Sequence, residues 1–304
     1  MKIIYGIIAF CVILIVALYI WRISRLPSSL EMHVFDTKGV PSIFIRTPQD
    51  VRILINGGAN SEIVKYITSI IPFYSRRIDY VFVTKEEGDN VSGLIDIINR
   101  YKVGTIIIPA TTPVEAGIAS TTDKIFDVFM ETVRSHDIKI KKAAAGDQIT
   151  FDLDNELSVE SKSPTELYAD ILFPTASSSD FTYSKASPPE MVIDFSYDNN
   201  NFLLSGDATT KIQRYIMNQK NVDVLIVSHS LSENLFVPEF IQQINPKYLI
   251  YSKLESKAVS KTGSNKSLKR KDDAFPFILD DHRFNIKEKN TVTVLSDGDS
   301  VEVQ

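Results

Sequence analysis

The sequence predicts an α/β fold in which two sheets face each other and helices cover their outer sides. Short apolar strands alternate with helix-like segments in both halves of the chain, as in an α/β sheet. The chain has 304 residues, of which 44% are hydrophobic and 23% are charged, so it can bury one large core or two modest ones. We expect the two halves to share one core rather than to form independent domains.

The first half is predicted to open with a hairpin and to continue as alternating strands and helices. The sequence Asn56-Gly57-Gly58 follows the third strand, where glycines allow the backbone to turn sharply. The predicted strands are 31–35, 42–46, 51–55, 78–83 and 105–108, and the predicted helices are 61–71 and 93–101.

The second half repeats this alternation and ends in a hairpin. Its last two strands, 291–294 and 301–303, are joined through Asp297-Gly298, a sequence typical of tight turns. The other predicted strands are 148–153, 156–161, 191–197, 201–204, 222–227 and 248–251, and the predicted helices are 209–218 and 238–243.

The amino-terminal segment is apolar. Residues 3–21 carry no charged side chain and are long enough to cross a hydrocarbon core of about 30 Å. The run ends in aromatic residues suited to a membrane interface and lacks the small-residue cleavage site of a signal peptide. We predict a single-pass transmembrane anchor at 1–25, a linker at 26–30 and a domain at 31–304. The alternative is a buried core helix.

The orientation of this anchor follows only weakly from charge. Lys2 precedes the apolar run, whereas Arg22 and Arg25 follow it, so positive-inside counting barely separates the two orientations. We expect the large domain to be extracytoplasmic. The single cysteine, Cys11, lies within the predicted anchor, so the domain has neither a disulfide nor a cysteine metal ligand.

Charge is distributed unevenly along the chain. The net charge of −5 argues against a domain whose whole surface binds nucleic acid. Residues 253–273, however, carry seven Lys or Arg residues against three acids, and this basic insertion could contact DNA or another anionic polymer. The alternative is a solvated insertion, because no aromatic residue is interleaved for base stacking. The candidate anion-binding residues are Lys257, Lys261, Lys266, Lys269, Arg270 and Lys271.

The segment 81–93 has the layout of a metal-binding loop. An apolar strand leads into a short acidic turn and then into a helix-like segment, which places side chains at the carboxyl edge of a sheet. A dinuclear zinc site would use histidines there, and this loop contains none. The frame of a metal site is therefore present without most of its expected ligands.

Five segments in order resemble the metallo-β-lactamase fold, specifically the ComEC-type competence domain, and the resemblance covers residues 31–304. The family's Asp-Val-Gly-Gln-Gly-Asp turn is matched by 36–41, which ends in Pro41, and its Leu-Ile-Asp-Gly-Gly by 54–58, with Asn56 for the aspartate. Its Thr-His-x-His-x-Asp-His is matched by 84–90 and its Leu-Thr-Gly-Asp by 204–207. Its His-His-Gly-Ser is matched by 227–232, which keeps one histidine of two, His229. The positions that match the family's metal motifs are Lys85, Glu87, Asp89, Asn90, Asp207 and His229.

The resemblance implies a fold and a chemistry. The fold is a four-layer αββα sandwich, and in the family two metal ions activate a bridging water for attack on an ester. Asp89, Asp207 and His229 are the candidate ligands in this chain, and Glu87 could add a carboxylate. Lys85 stands where the family has a histidine, and its ammonium has no lone pair to donate.

The residues that replace the family's metal ligands determine what kind of site we expect. We predict that no metal cofactor is bound, with zinc or manganese as the alternative, and that Lys85 pairs with Asp89 or Asp207 in place of the metal charge. The two aspartates could instead be turn or helix caps, and the histidine of the last motif could be an ordinary hydrogen-bonded residue.

Two functions of different classes follow from the resemblance. The first is a membrane-anchored, catalytically degenerate binding or scaffold module with a role in DNA uptake or processing. The second is a residual metal-dependent hydrolase, of phosphodiesterase or nuclease type, with an altered or single metal site. A third, weaker possibility is a surface adaptor that holds anionic polymer through residues 253–273.

Overall fold

A computed structural model gives the architecture of the chain. It describes residues 2–23, 27–38, 40–110, 124–151, 166–175, 189–218, 221–228, 237–252 and 278–304. The described residues form fifteen strands, seven α-helices and a short 3-10 helix at Asp280–His282. The strands are β1 (Leu30–Phe35), β2 (Ser42–Arg46), β3 (Arg52–Ile55), β4 (Arg77–Phe82), β5 (Lys102–Pro109), β6 (Lys139–Ala143), β7 (Gln148–Thr150), β8 (Leu167–Phe173), β9 (Val192–Tyr197), β10 (Asn200–Gly206), β11 (Val224–Val227), β12 (Tyr248–Tyr251), β13 (Arg283–Asn285), β14 (Thr291–Ser296) and β15 (Val301–Val303). The helices are α1 (Lys2–Ile23), α2 (Glu62–Ile70), α3 (Gly88–Arg100), α4 (Lys124–Ser135), α5 (Thr210–Tyr215), α6 (Pro238–Ile244) and α7 (Ile286–Lys289).

The strands form two mixed sheets. The first sheet has the order β15-β14-β1-β2-β3-β4-β5-β6, in which β3 to β6 are parallel and the remaining pairs are antiparallel. The second has the order β13-β12-β11-β10-β9-β8-β7, in which β10 to β13 are parallel. The predicted alternation of strands and helices is thus realised as an α/β fold with two mixed sheets.

Side chains alternate between the two faces of each sheet and so create layers. Ile53 and Ile55 of β3 belong to the apolar core between the sheets, whereas Leu54 packs beneath α2, α3 and α4. On the second sheet, Leu204 faces the same central core and Leu203 packs against α5 and α6. The result is four layers with helices outside, consistent with the metallo-β-lactamase sandwich.

The ends of the parallel strands define two opposite edges of the molecule. Strands β3 to β6 and β10 to β13 all end on one side, here called the carboxyl edge, and the opposite side is the amino edge. The two sheets meet at the carboxyl edge, where the Met191 N–H donates to the carbonyl oxygen of Thr84 at 2.6 Å. Ligand sites of α/β sheets commonly lie beyond this kind of edge.

Several predicted boundaries differ from the observed ones. The domain begins at Leu30, one residue before its predicted start, and α3 begins at Gly88 rather than at residue 93. The predicted strand 156–161 lies outside the described residues, whereas β6, β8 and α4 had not been predicted. The predicted terminal hairpin is confirmed, and its first strand also pairs with β1.

The apolar segment at the amino terminus forms the helix α1, Lys2–Ile23. Among the residues that the structure describes, no helix is both long enough and apolar enough to cross a membrane. The prediction of a transmembrane anchor is not confirmed by this result.

Candidate functional site

The candidate site lies at the carboxyl edge, where loops from both sheets converge. The first sheet contributes Asn56, which follows β3, and residues 84–90, which follow β4. The second sheet contributes Glu190, two residues before β9, and Asp207, directly after β10. Because the chain crosses from one sheet to the other between these segments, residues far apart in sequence become neighbours here.

A buried hydrogen-bond network forms the centre of the site. The Thr84 N–H donates to Asn56 Oδ1 at 2.9 Å, and Asn56 Nδ2 donates to Thr84 Oγ1 at 3.0 Å. Asn90 Nδ2 also donates to this hydroxyl oxygen, at 3.2 Å. Since two amide groups donate to Thr84 Oγ1, its own proton is directed to Glu190 Oε1, 2.8 Å away. Thr84 therefore connects the two sheets.

Close backbone packing holds the helix α3 against this network. The Gly57 N–H donates to the carbonyl oxygen of Asn90 at 2.6 Å, and Asn56 adopts a left-handed conformation with φ of 58°. A Cβ atom on Gly93 would clash with the carbonyl oxygens of Gly57 and Asn60. Glycine at 93 is thus required for the helix to approach the loop after β3.

Glu190 is the main residue that the sequence prediction missed. Its side chain is buried and packs against Gly206, where an added Cβ would clash with the carboxyl group. Burial, followed by the negative charge of Asp207, raises the pKa of Glu190 from 4.5 to about 8, although the Thr84 hydrogen bond and the Lys85 charge oppose this shift. Glu190 is therefore largely protonated at neutral pH. The sequence feature that could have identified Glu190 is its position as an acid directly before an apolar strand.

Lys85 supplies the positive charge of the site. Its Nζ lies 2.9 Å from Glu87 Oε1, with 21% of the lysine side chain exposed. Burial lowers the pKa of Lys85, but the hydrogen bond and charge of Glu87, with the charges of Glu190 and Asp207, outweigh burial and raise the pKa above 10.5. The ammonium therefore stays protonated and faces three carboxyl groups.

Of the remaining predicted site residues, one belongs to the buried network, one is exposed at the surface, and the others lie outside the described residues. Asn90 is buried, and its Oδ1 has no hydrogen-bond partner within the described ranges, whereas Asp89 is exposed in the first turn of α3. Lys85 forms an ion pair with Glu87 rather than with the exposed Asp89, and the charge of Asp207 also raises the pKa of Lys85. His229 and the basic insertion 253–273 lie outside the described residues.

Among the described residues, the side chains of this network are not the ligands of a dinuclear zinc centre. Within the described parts of the chain, no group of three or more His, Cys, Asp or Glu side chains is arranged to hold a metal ion. The network instead consists of two amides, a hydroxyl and a protonated carboxyl group, with an ammonium beside them. Zinc sites use neutral histidines and thiolates, and a fixed ammonium repels any cation placed next to it.

Comparisons with known proteins bear on the fold alone. No protein-family model matches the chain, and no curated protein matches its sequence. A mutant of the CmlA β-hydroxylase superimposes with a TM-score of 0.44 at 14% identity, over 74% of this chain but only 46% of that one. A metal-dependent hydrolase, described as putative, from Parabacteroides distasonis gives 0.44 at 14% identity, over 75% and 85% of the two chains. A metallo-β-lactamase mutant from Cronobacter sakazakii gives 0.38 at 13%, over 62% and 72%.

These structural neighbours are proteins of the metallo-β-lactamase fold. The chain spans less than half the length of the first of them. All three TM-scores are below 0.5, so the superpositions say nothing about activity or substrate. The class defined by topology is an α/β domain of two mixed sheets, consistent with the sandwich that the sequence resemblance implies.

Proposed function

We propose that this chain is a metallo-β-lactamase-fold domain of the ComEC-like group whose metal site has been replaced by a fixed charge network, and that it acts as a binding or scaffold module. The observation that carries this proposal is the position of Lys85. Its ammonium contacts Glu87 at 2.9 Å and is influenced by the charges of Glu190 and Asp207. A protonated lysine there supplies the positive charge that these acids need without a metal ion.

The hydrogen bonds of the site support the same proposal. Asn56 and Asn90 both donate to the Thr84 hydroxyl group, and Thr84 donates to Glu190, so each of these side chains has a partner within the protein. Site residues of hydrolases are aimed instead at substrate or at a metal. A network of this kind stabilises the carboxyl edge, on which a partner can then bind.

Metal content tests this proposal directly. The full chain, purified without chelator, is expected to contain far less than one zinc or manganese ion per molecule by elemental mass spectrometry. Lys85→His should raise the affinity for zinc in calorimetric titration, because it removes the ammonium and adds a nitrogen donor. If the unmodified chain binds zinc as tightly as Lys85→His does, Lys85 does not stand in for a metal.

A residual metal-dependent hydrolase is the second candidate. It is favoured by one observation, the electrostatic coupling of three acids, since Asp207 and Glu87 both raise the pKa of Glu190. Such repulsion would be relieved by a cation. This function requires near-stoichiometric metal that is lost in Asp207→Ala and retained in Asp127→Ala, the latter being an exposed acid in the first turn of α4. That result would justify a phosphodiesterase screen.

We also propose, from the sequence, that residues 253–273 hold DNA or another anionic polymer and that this binding serves DNA uptake or processing. The test is fluorescence anisotropy with duplex DNA at several salt concentrations. Replacing Lys269, Arg270 and Lys271 with serine should lower the salt slope by about 0.9 for each phosphate that the protein no longer neutralises. A control variant with glutamine at the three exposed lysines of β6, Lys139, Lys141 and Lys142, should bind as before.

Finally, we propose that α1 attaches the chain to a membrane with the domain on the extracytoplasmic side. Supporting this are exposed apolar side chains on α1, with Phe10, Ile13 and Ile15 exposed by 66%, 67% and 65%. An apolar surface of this kind needs an apolar partner. The chain should remain with carbonate-washed membranes, and Phe10→Asp combined with Ile13→Asp should release it. Protease added outside intact cells should digest the domain.

A further inference from the structure

The amino edge carries a projecting aromatic pair that no part of the candidate site uses. Phe73 and Tyr74 lie in the loop between α2 and β4, with 80% and 47% of their surfaces exposed. Their rings contact each other edge to face, with centroids 5.5 Å apart. Large aromatic side chains placed on a loop tip in this way are unusual on a surface that contacts only water.

Basic residues surround this pair. Arg76, Arg100 and Lys102 are exposed, and the Lys102 N–H donates to the carbonyl oxygen of Arg76 at 3.0 Å, which brings the ends of two loops together. In the part of the chain that the structure describes, none of these three side chains forms an ion pair. The loop also borders a groove of about 330 Å³, lined by residues that include Phe73, Arg76 and Tyr101.

The chain enters the domain at the same edge. Strand β1 runs antiparallel to β2, which runs antiparallel to β3, so Leu30 lies on the same side of the sheet as the starts of β3 and β4. The carboxyl edge, with Thr84 and Glu190, lies on the opposite side. A membrane to which α1 is attached would therefore meet the amino edge first.

We propose that Phe73, Tyr74, Arg76, Arg100 and Lys102 form a docking surface for a membrane that contains anionic lipid. Aromatic rings insert at the level of the headgroups, while the basic side chains contact lipid phosphates and carboxylates. This inference rests on the proposed membrane attachment of α1. Attachment makes docking an intramolecular step, so a weak intrinsic affinity suffices.

Charge restricts the docking surface to one corner of the amino edge. The turns that contain Asp198, Asp297 and Asp299 are acidic and lie around β9, β10, β14 and β15. In the first sheet, β14 is separated from β4 by β1, β2 and β3. An anionic membrane would repel those turns, so the domain should tilt toward its β4–β5 corner. The candidate site would then face away from the membrane.

Tryptophan fluorescence can locate this surface in the full chain. Trp21 is the only tryptophan, so Trp21→Phe provides a silent background into which Phe73→Trp is introduced. In vesicles containing phosphatidylserine, the residue-73 signal should shift to the blue and be quenched by lipids brominated on their acyl chains. Ile125→Trp, exposed by 42% at the start of α4 near the carboxyl edge, is the matched control and should not be quenched.

Removal of the basic charges provides a second measurement. Each basic residue near an anionic membrane is worth about 1 kcal/mol, or about fivefold, so Arg100→Gln with Lys102→Gln should lower the ratio of docked to undocked domain by about 25-fold. Lys124→Gln, an exposed lysine at the start of α4, should leave it unchanged.

Flotation of the chain with the vesicles distinguishes the proposed membrane attachment through α1 from the proposed docking surface. If the chain floats and residue 73 is quenched, both stand. If it floats and residue 73 is no more quenched than residue 125, membrane attachment stands and the docking surface is refuted. If it does not float with any vesicle, both are refuted, and the aromatic pair becomes a candidate site for a protein partner.

Discussion

Replacing the buried acid at position 190 should change how the stability of the domain depends on pH. The Glu190 pKa is about 8 in the folded protein against 4.5 for the free side chain. Between these values the folded state holds a proton that the unfolded state has released, so the free energy of unfolding falls as pH rises. At about 1.4 kcal/mol per pH unit, the total loss across this window has an upper limit of about 5 kcal/mol.

Glu190→Gln removes this titration and preserves the shape of the side chain. Its carbonyl oxygen can still accept the hydrogen bond from Thr84. The variant should therefore differ little from the original protein near pH 5 and should be more stable by several kcal/mol, about 3 to 5, at pH 8.5. The gain arises because the original protein must bury a negative charge beside Asp207 at high pH.

Urea unfolding at a series of pH values measures this effect. A second buried acid, Asp194, has its pKa raised to about 7 by burial and by the charge of Asp170, so it adds a slope of the same sign. Asp194→Asn is thus the control for a general effect of removing a buried carboxyl group, and its gain should appear at lower pH. Equal pH slopes for Glu190→Gln and the unmodified protein would refute the assignment of the titration to Glu190.

Three further predictions concern residues whose contacts stabilise the carboxyl edge or the amino edge. Lys85→Ala should lower the free energy of unfolding by about 1 to 2 kcal/mol at pH 8, and by less at pH 5.5 where the neighbouring Glu190 is protonated; chemical denaturation at the two pH values measures this. Arg52→Met should cost about 3 kcal/mol in urea unfolding, because the buried guanidinium bonds Asp50 at 2.7 Å, and an unchanged midpoint would exclude this role. Gly93→Ala should lower the melting temperature through an overpacking cost of about 1 to 3 kcal/mol, whereas Ser92→Ala, one position earlier in α3, should not.

Local patterns predicted the layers of the fold well. The segment 201–204 was predicted to be a strand, and its neighbouring side chains Leu203 and Leu204 indeed face opposite layers. The edge strand β6 was missed because three of its five residues are lysines, which keep an edge strand from pairing further but conceal its pattern. The early start of α3 was missed because its first turn, Gly88-Asp89-Asn90, resembles a loop by composition.

The candidate site was predicted only in part, because some of its contacts join segments that are far apart in the sequence. The segments after β4 and β10 could be identified from their own sequences, and Asp207 does act electrostatically on Lys85. Glu190 could not be found in this way, because its neighbour Thr84 is 106 positions away and the contact depends on how the two sheets pack. The partner of Lys85 likewise depended on the backbone path of the turn, which places Glu87 within reach.

The strand order has a consequence for how the chain is made. Strand β1 lies between β2 and β14, so the His33 ring on β1 meets Thr293, which is 260 positions later. During synthesis from the amino terminus, one side of β1 therefore keeps its backbone N–H and C=O groups unpaired until residues 291–296 have emerged. Unpaired strands of this kind recruit strands from other chains. Residues 291–296 thus cover the side of β1 that is left open, and loss of the hairpin 291–303 should lead to aggregation rather than to a smaller folded domain.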